Sequence, residues 1–214
     1  MKLYDYYRSS ASYRVRIALN LKKIHYETLA VHLVNHGGEQ HHTSYLGINP
    51  QGLVPALDDN GHILSQSLAI IEYLDETTPT PALLPQTPLG RAQVRSLAMI
   101  IACDLHPLNN LRVLQQLRKQ FQATEQQVTE WYLHWLKQGF DAIEERLKTL
   151  QRKNHVCYGH DISLADVCLI PQVYNAKRFN LSLKNYPLIS EVNNYCLSLA
   201  AFVDASPEAQ VAKD

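Results

Sequence analysis

The residues best placed to do chemistry lie where a strand runs into a helix over a hydroxyl-rich turn, Arg8-Ser9-Ser10-Ala11-Ser12. Lys2 to Tyr6 is apolar and aromatic enough for a strand, and Val15, Ala18 and Leu19 recur at i, i+3, i+4 on one helix face. A serine ahead of such a run accepts one of the N–H groups that a helix start leaves unpaired, so at least one of these serines reads as an N-cap. The same place is an anion site. N–H and O–H donors converge on the positive end of a helix dipole, and a thiolate is an anion. A thioredoxin-like oxidoreductase would carry Cys-x-x-Cys at this turn. None stands here: the cysteines are Cys103, Cys157, Cys168 and Cys196. A thiol that reacts at this turn must arrive with a ligand.

The surrounding elements must hold that turn. Tyr26 to His32 reads as a second strand, so the first helix is the crossover of a right-handed βαβ unit. Gly37-Gly38 breaks the chain before a short polar helix from Gln40 to Leu46. Asn49-Pro50-Gln51-Gly52 is a turn, and Leu53-Val54-Pro55-Ala56-Leu57 a strand that opens on proline, where little ladder bonding is lost. The Val54–Pro55 bond is a candidate for the cis form. Asp58-Asp59-Asn60-Gly61 is a hairpin turn returning as His62-Ile63-Leu64. Gln66-Ser67 then opens a helix to Glu76 with Leu68, Ile71 and Leu74 spaced to pack on a sheet. The order is βαβαββα over residues 1–78. Pro79, Pro81, Pro85 and Pro88 mark residues 79–88 as a linker.

Residues 89–214 are rich in helix formers, so the fold class is α/β plus all-α. Helices are predicted over residues 89–120, 125–150, 164–179 and 187–201, the first kinked or divided by Pro107. Ser163-x-x-Asp166 is a capping box with Asp in the usual Glu place, and the tail from Ser206 is polar and expected to fray.

Composition narrows the function further. Twenty basic and twenty acidic residues give zero formal net charge, so no global field points to nucleic acid or an anionic membrane. Hydrophobic residues make up 46% of the chain, ample for a core, yet no apolar run reaches membrane-spanning length. The scattered cysteines suit reduced core thiols, and no secretory signal segment is visible, so a soluble cytoplasmic protein is expected. His32, His36, His41 and His42 crowd one region, but their spacing includes no acidic or cysteine partner that fits a metal site, and loop histidines are expected. Trp131 and Trp135 at i, i+4 read as helix packing.

Arg8-Ser9-Ser10-Ala11-Ser12-Tyr13-Arg14-Val15-Arg16-Ile17-Ala18-Leu19 resembles the zeta-class glutathione transferase signature, in which Ser-Ser-Cys-Ser-Trp precedes Arg-Val-Arg-Ile-Ala-Leu. Asn49 to Leu57, Gln66 to Leu74, Leu169 to Val173 and Asn175 to Phe179 continue the likeness over nearly the whole chain. The resemblance implies a thioredoxin-like N-terminal domain, a helical glutathione transferase C-terminal domain, and a homodimer. It also implies glutathione as cofactor and a maleyl keto acid as substrate. The implied activity is isomerisation of maleylacetoacetate to fumarylacetoacetate in aromatic amino acid catabolism, by thiolate addition, rotation and elimination. Maleylpyruvate isomerisation is the alternative, then a general conjugating transferase. A non-catalytic adaptor would need none of these ligand motifs.

By resemblance, Gln66 and Ser67 hold the γ-glutamyl end of glutathione, Val54 before Pro55 pairs with its cysteinyl backbone, and Gln40 and Gln51 reach its ends. His106 and Asn110 are further implied cofactor contacts. Ser9, or failing that Ser10, stabilises the thiolate. Substrate carboxylates need cations, and Arg8, Arg112 and Arg178 are the candidates, because guanidinium grips carboxylate in a bidentate fork. Arg14 and Arg16 read as structural ion-pair residues along the first helix. Two departures stand out: Ala11 replaces the signature cysteine, and Tyr13 replaces its tryptophan as the expected aromatic wall.

Overall fold

The computed structural model describes residues 1–211. By packing, the chain divides into two compact units: residues 1–82 with the described residues from Leu197 onward, and residues 83–196.

The first unit is built on a four-stranded sheet in the order β2-β1-β3-β4, from β1 (Lys2–Asp5), β2 (Glu27–Ala30), β3 (Ala56–Asp59) and β4 (His62–Ser65). β1 pairs parallel with β2, as the crossover helix α1 (Ser10–Leu21) requires, and antiparallel with β3. Asn60 and Gly61 both take positive φ in the tight β3–β4 turn, which is where Asn-Gly is favoured. The predicted helix at Gln40 is instead a 3-10 turn, Glu39–His41, followed by α2 (Thr43–Leu46).

α1 packs against α3 (Ser67–Thr77). Leu3, Val15, Ala18, Leu19, Leu57 and Leu74 are completely buried, and burying each such leucine or valine is worth about 1.5–3 kcal/mol. The chain leaving α3 is tied down by Lys22, whose buried ammonium donates to Asp75 Oδ1 at 2.9 Å and to the Thr78 and Pro81 carbonyls at 2.6 and 2.9 Å.

The second unit is helical. Its elements are α4 (Pro88–Met99), a π-helical stretch (Ile100–Leu105), α5 (His106–Leu108), α6 (Leu111–Phe121), α7 (Glu125–Thr149), α8 (Leu164–Arg178) and α9 (Pro187–Cys196). The long predicted first helix is thus divided around Pro107. The Ser163–Asp166 capping box forms as expected: Asp166 accepts Ser163 N–H at 2.8 Å, Ser163 Oγ–H at 2.7 Å and Cys157 N–H at 2.8 Å. Trp131 and Trp135 meet edge to face at 5.7 Å, as packing residues do.

The last predicted helix ends early. α9 stops at Cys196, and α10 (Ala200–Val203) and α11 (Pro207–Val211) belong to the first unit. There the Ala201, Phe202 and Ala205 carbonyls accept from Asn20, Tyr13 and Arg16. The tail expected to fray is therefore helical to Val211, with Gln210 Nε2 donating to the Asp204 carbonyl at 2.7 Å; residues 212–214 lie outside the described residues.

Candidate active site

Ser9 is the N-cap of α1. Its N–H donates to the Tyr6 carbonyl at 2.8 Å, closing the turn after β1, and its carbonyl accepts the Tyr13 N–H at 2.8 Å. Its Oγ accepts the Ser12 N–H at 3.2 Å. The cap uses a lone pair of the hydroxyl and leaves its single proton for another acceptor. Ser9 is half-buried, whereas Ser10, the first residue of α1, is only 6% exposed. Arg8 is exposed beside them, its guanidinium 5.1 Å from the Tyr7 ring centroid.

A second helix start in the same unit offers donors. α3 begins after Gln66, which sits at φ +70°, ψ +113°, a region non-glycine residues seldom adopt. No side chain caps α3, so its first N–H groups are available to water or a ligand. Gln66 Nε2 donates to Gln51 Oε1 at 2.8 Å. Ser67, 7% exposed, accepts from Arg14 Nη1 at 3.3 Å.

The loop between these starts is firmly held. The Val54–Pro55 bond is cis, as the sequence suggested. The Leu53 carbonyl just before it accepts from the Tyr45 hydroxyl and the Asn49 amide, both at 2.7 Å. Burial pushes the Tyr45 phenol up to about 12, so it keeps its proton and goes on donating. Gln40 is buried beside this loop, close enough that a Cβ on Gly52 would fall 3.1 Å from the Gln40 carbonyl. Gln40 Oε1 has no hydrogen-bond partner among the described residues. A buried amide oxygen left so costs about 1–3 kcal/mol, which a ligand N–H would recover.

Hydrogen bonds and close neighbours thus bring together four of the candidates in the first unit. Arg14 on α1 reaches Ser67; its neighbour Gln66 bonds Gln51; and Gln51 adjoins Gly52, which lies against Gln40. The sequence reading places Arg14 among structural ion-pair residues rather than in the site, and its spacing gives no signal of the bond to Ser67.

In the second unit, His106, Asn110 and Arg112 share the α5–α6 junction. Asn110 caps α6 by accepting the Arg112 N–H at 3.1 Å, and its amide lies 3.4 Å from His106 Nε2. Arg112 and Arg178 are exposed. Asn109 donates to the Tyr132 carbonyl at 3.1 Å, Phe179 stacks on the Tyr132 ring at 3.6 Å, and the Arg178 charge acts on the Tyr132 phenol. Burial pushes that phenol up to about 12, with Arg178 pulling the other way. Tyr132 thus links the end of α8 to the α5–α6 junction, a role its place in α7 did not announce.

Tyr13 departs from expectation. It is 2% exposed, and its hydroxyl donates to the Phe202 carbonyl at 3.0 Å, so it is a core residue rather than an aromatic wall. Arg16 meets the expectation of a structural ion pair, with Asp5 at 2.7 Å; Arg14 also donates to Ser67. Among the described residues, no three His, Cys, Asp or Glu side chains group as a metal site. His32 Nδ1 accepts the N–H groups of Val34 and Asn35 at 3.2 and 2.9 Å.

Residues 3–82 match the family described as glutathione S-transferase, N-terminal domain. A probable maleylacetoacetate isomerase of Vibrio cholerae is 50% identical over 208 residues, covering 97% of this chain and 96% of that one. The holo structure of a maleylpyruvate isomerase, described as a bacterial glutathione S-transferase in the zeta class, is 48% identical with a TM-score of 0.95, covering 98% of each chain. The chain belongs to the zeta class of the glutathione S-transferases. A maleylacetoacetate isomerase of Methylobacterium extorquens AM1, solved with bound malonate and glutathione, is 39% identical to this zeta-class chain with a TM-score of 0.93, covering 97% of this chain and 96% of that one. The α/β first unit followed by helices is the fold expected of the class. No described helix of this transferase is long and apolar enough to cross a membrane.

Proposed function

We propose that this chain is a glutathione-dependent cis–trans isomerase converting maleylacetoacetate to fumarylacetoacetate, a step of aromatic amino acid catabolism. The observation that carries this reading is the Ser9 cap. Its hydroxyl accepts the Ser12 N–H and keeps its proton for an anion at the positive end of α1, in a turn without cysteine.

Bound glutathione supplies a thiolate that adds to the maleyl double bond, makes it rotatable for a moment and is expelled from the trans product. Ser9 donates to the sulfur, with Ser10 the second choice. A free thiol has a pKa of roughly 8.5, so at neutral pH a few per cent is ionised; a charge-assisted bond and a helix end raise that share. Ser67, Gln66 and the uncapped start of α3 bind the γ-glutamyl carboxylate, and Gln51 orients Gln66. Val54, ahead of Pro55, pairs with the cysteinyl backbone like an added strand. The unpaired Gln40 oxygen takes an N–H at the glycyl end. His106 and Asn110 are further cofactor contacts, and Arg8, Arg112 and Arg178 grip the substrate carboxylates.

Residues 1–78 are the proposed glutathione-binding domain, 79–88 the linker, and the helices beyond it the substrate domain. We place the protein in the cytoplasm as a homodimer, as membership of the zeta class suggests. A second substrate, maleylpyruvate, is favoured by the 48% identity to an isomerase of that name.

The test is the rate of maleylacetoacetate conversion with and without glutathione, with maleylpyruvate in parallel. Turnover that requires glutathione and leaves its concentration unchanged is expected. Glutathione consumed on a model electrophile, with neither maleyl acid isomerised, would reduce the protein to a conjugating transferase.

A further inference from the structure

Arg14 is a buried cation bonded to a candidate glutathione contact, Ser67. It is 1% exposed, lies five residues into the chain from the Ser9 cap, and reaches across to the first residue of α3. Guanidinium holds its charge at any pH a folded protein meets and has only donors. The 3.3 Å bond to Ser67 must therefore use Ser67 Oγ as acceptor. The Ser67 hydroxyl, like that of Ser9, is then left with its proton for a different acceptor. At the start of an uncapped eleven-residue helix, an anion is the acceptor that the helix dipole favours.

We propose that Arg14 is a positioning residue for glutathione. Its buried guanidinium fixes the Ser67 hydroxyl as a donor toward the γ-glutamyl carboxylate and adds a positive field behind that carboxylate, without touching it. This rests on the reading of Ser67 as the γ-glutamyl site. It also couples the two helix starts: Arg14 belongs to the helix whose cap faces the thiol, and Ser67 to the helix that faces the carboxylate.

The experiment measures binding by calorimetry for two ligands: glutathione, and the analogue whose γ-glutamyl residue is replaced by 4-aminobutanoyl, which lacks only the α-carboxylate. The wild-type protein should prefer glutathione. Arg14→Met should weaken glutathione about tenfold, close to the lower end of what a hydrogen bond to a charged group is worth, and the analogue less than about twofold. In a Ser67→Ala background, Arg14→Met should cost clearly less than it does alone. Equal weakening of both ligands would make Arg14 a purely structural residue and overturn the proposal. If the methionine variant does not fold, Arg14→Gln serves: it removes the charge while keeping a polar side chain, and an unchanged preference for glutathione over the analogue would likewise overturn it. A wild-type protein that binds both ligands equally would instead sink the assignment of Ser67 itself, a failure distinguishable from that of Arg14.

Discussion

Arg16 grips Asp5 end-on, its Nη1 2.7 and 2.8 Å from the two carboxylate oxygens, with both side chains buried. Asp5 ends β1 and Arg16 lies in α1, so the pair pins the two elements on either side of the Ser9 turn. The rest of the guanidinium is also used: Nη2 donates to the Tyr7 carbonyl at 3.0 Å and Nε to the Ala205 carbonyl at 2.9 Å. One side chain thus fixes the strand end, the turn and the C-terminal return.

Removing one member leaves the other charge buried and alone. Arg16→Met is expected to cost about 3–5 kcal/mol, the range for breaking one side of a buried pair. Adding Asp5→Asn to it should recover part of that loss. Urea unfolding of the wild type and the two variants measures both, and a single-variant loss below about 1 kcal/mol would show that the pair does not hold the turn.

Ser9→Ala should separate the two duties of the cap. Loss of the bond to Ser12 costs about 1 kcal/mol of stability, as for other serine caps. Loss of the O–H donor raises the pKa of the bound thiol, because the thiolate is the form the donor favours. The pH–rate profile should therefore move to higher pH, with activity lost near neutrality and partly regained in base. Ser10→Ala should shift it much less. The thiolate absorbance of bound glutathione near 240 nm gives the same answer without turnover, and a profile moved only by Ser10→Ala would exchange the two roles.

The thiols give a prediction independent of the site. Cys103 is exposed, whereas Cys157, Cys168 and Cys196 are buried. Burial pushes the Cys157 and Cys196 thiols well above the ordinary range, so neither ionises as pH rises through 8.5 to 9. Native protein titrated with a thiol-specific reagent should react at Cys103 alone across that interval. Mass mapping of a second fast site would contradict the burial of Cys157, Cys168 or Cys196.

Local signals were legible in the sequence where the physics is local. The Ser9 cap needs only a serine before an apolar run, the Asn60-Gly61 turn only two residues that tolerate positive φ, and the Ser163–Asp166 box only a spacing of three. The cis bond before Pro55 and the split of the helix at Pro107 belong to the same kind. What stayed hidden is set by distant partners. Tyr13 is buried because the Phe202 carbonyl, 189 residues away, takes its hydroxyl. Ser67 is a donor in waiting because Arg14, 53 residues earlier, occupies its oxygen. Neither partner is marked by periodicity or composition. The same holds for α10 and the turn after it, whose Ala201 and Ala205 carbonyls accept from Asn20 and Arg16 of α1.

Gln66 is where stability and binding should pull apart. A non-glycine residue at φ +70°, ψ +113° stores of order 1 kcal/mol of backbone strain or more, and nothing in the cap relieves it, since Gln66 makes no side-chain bond to the α3 backbone. What the side chain does make is the 2.8 Å bond to Gln51, on the loop that leads to Pro55. Gln66→Gly removes the strain, because glycine adopts positive φ without a steric penalty, and also removes the amide. Gln66→Ala removes the amide and keeps the strain. Glycine should therefore raise the melting temperature above that of the alanine variant by a few degrees. Both should weaken glutathione by a similar factor, about threefold to tenfold for the loss of one or two hydrogen bonds. Thermal melting and calorimetric binding on the same two proteins decide it. Equal melting temperatures would mean that the backbone at residue 66 is unstrained, and unchanged affinity in both would remove Gln66 from the glutathione site while leaving Ser67 in it.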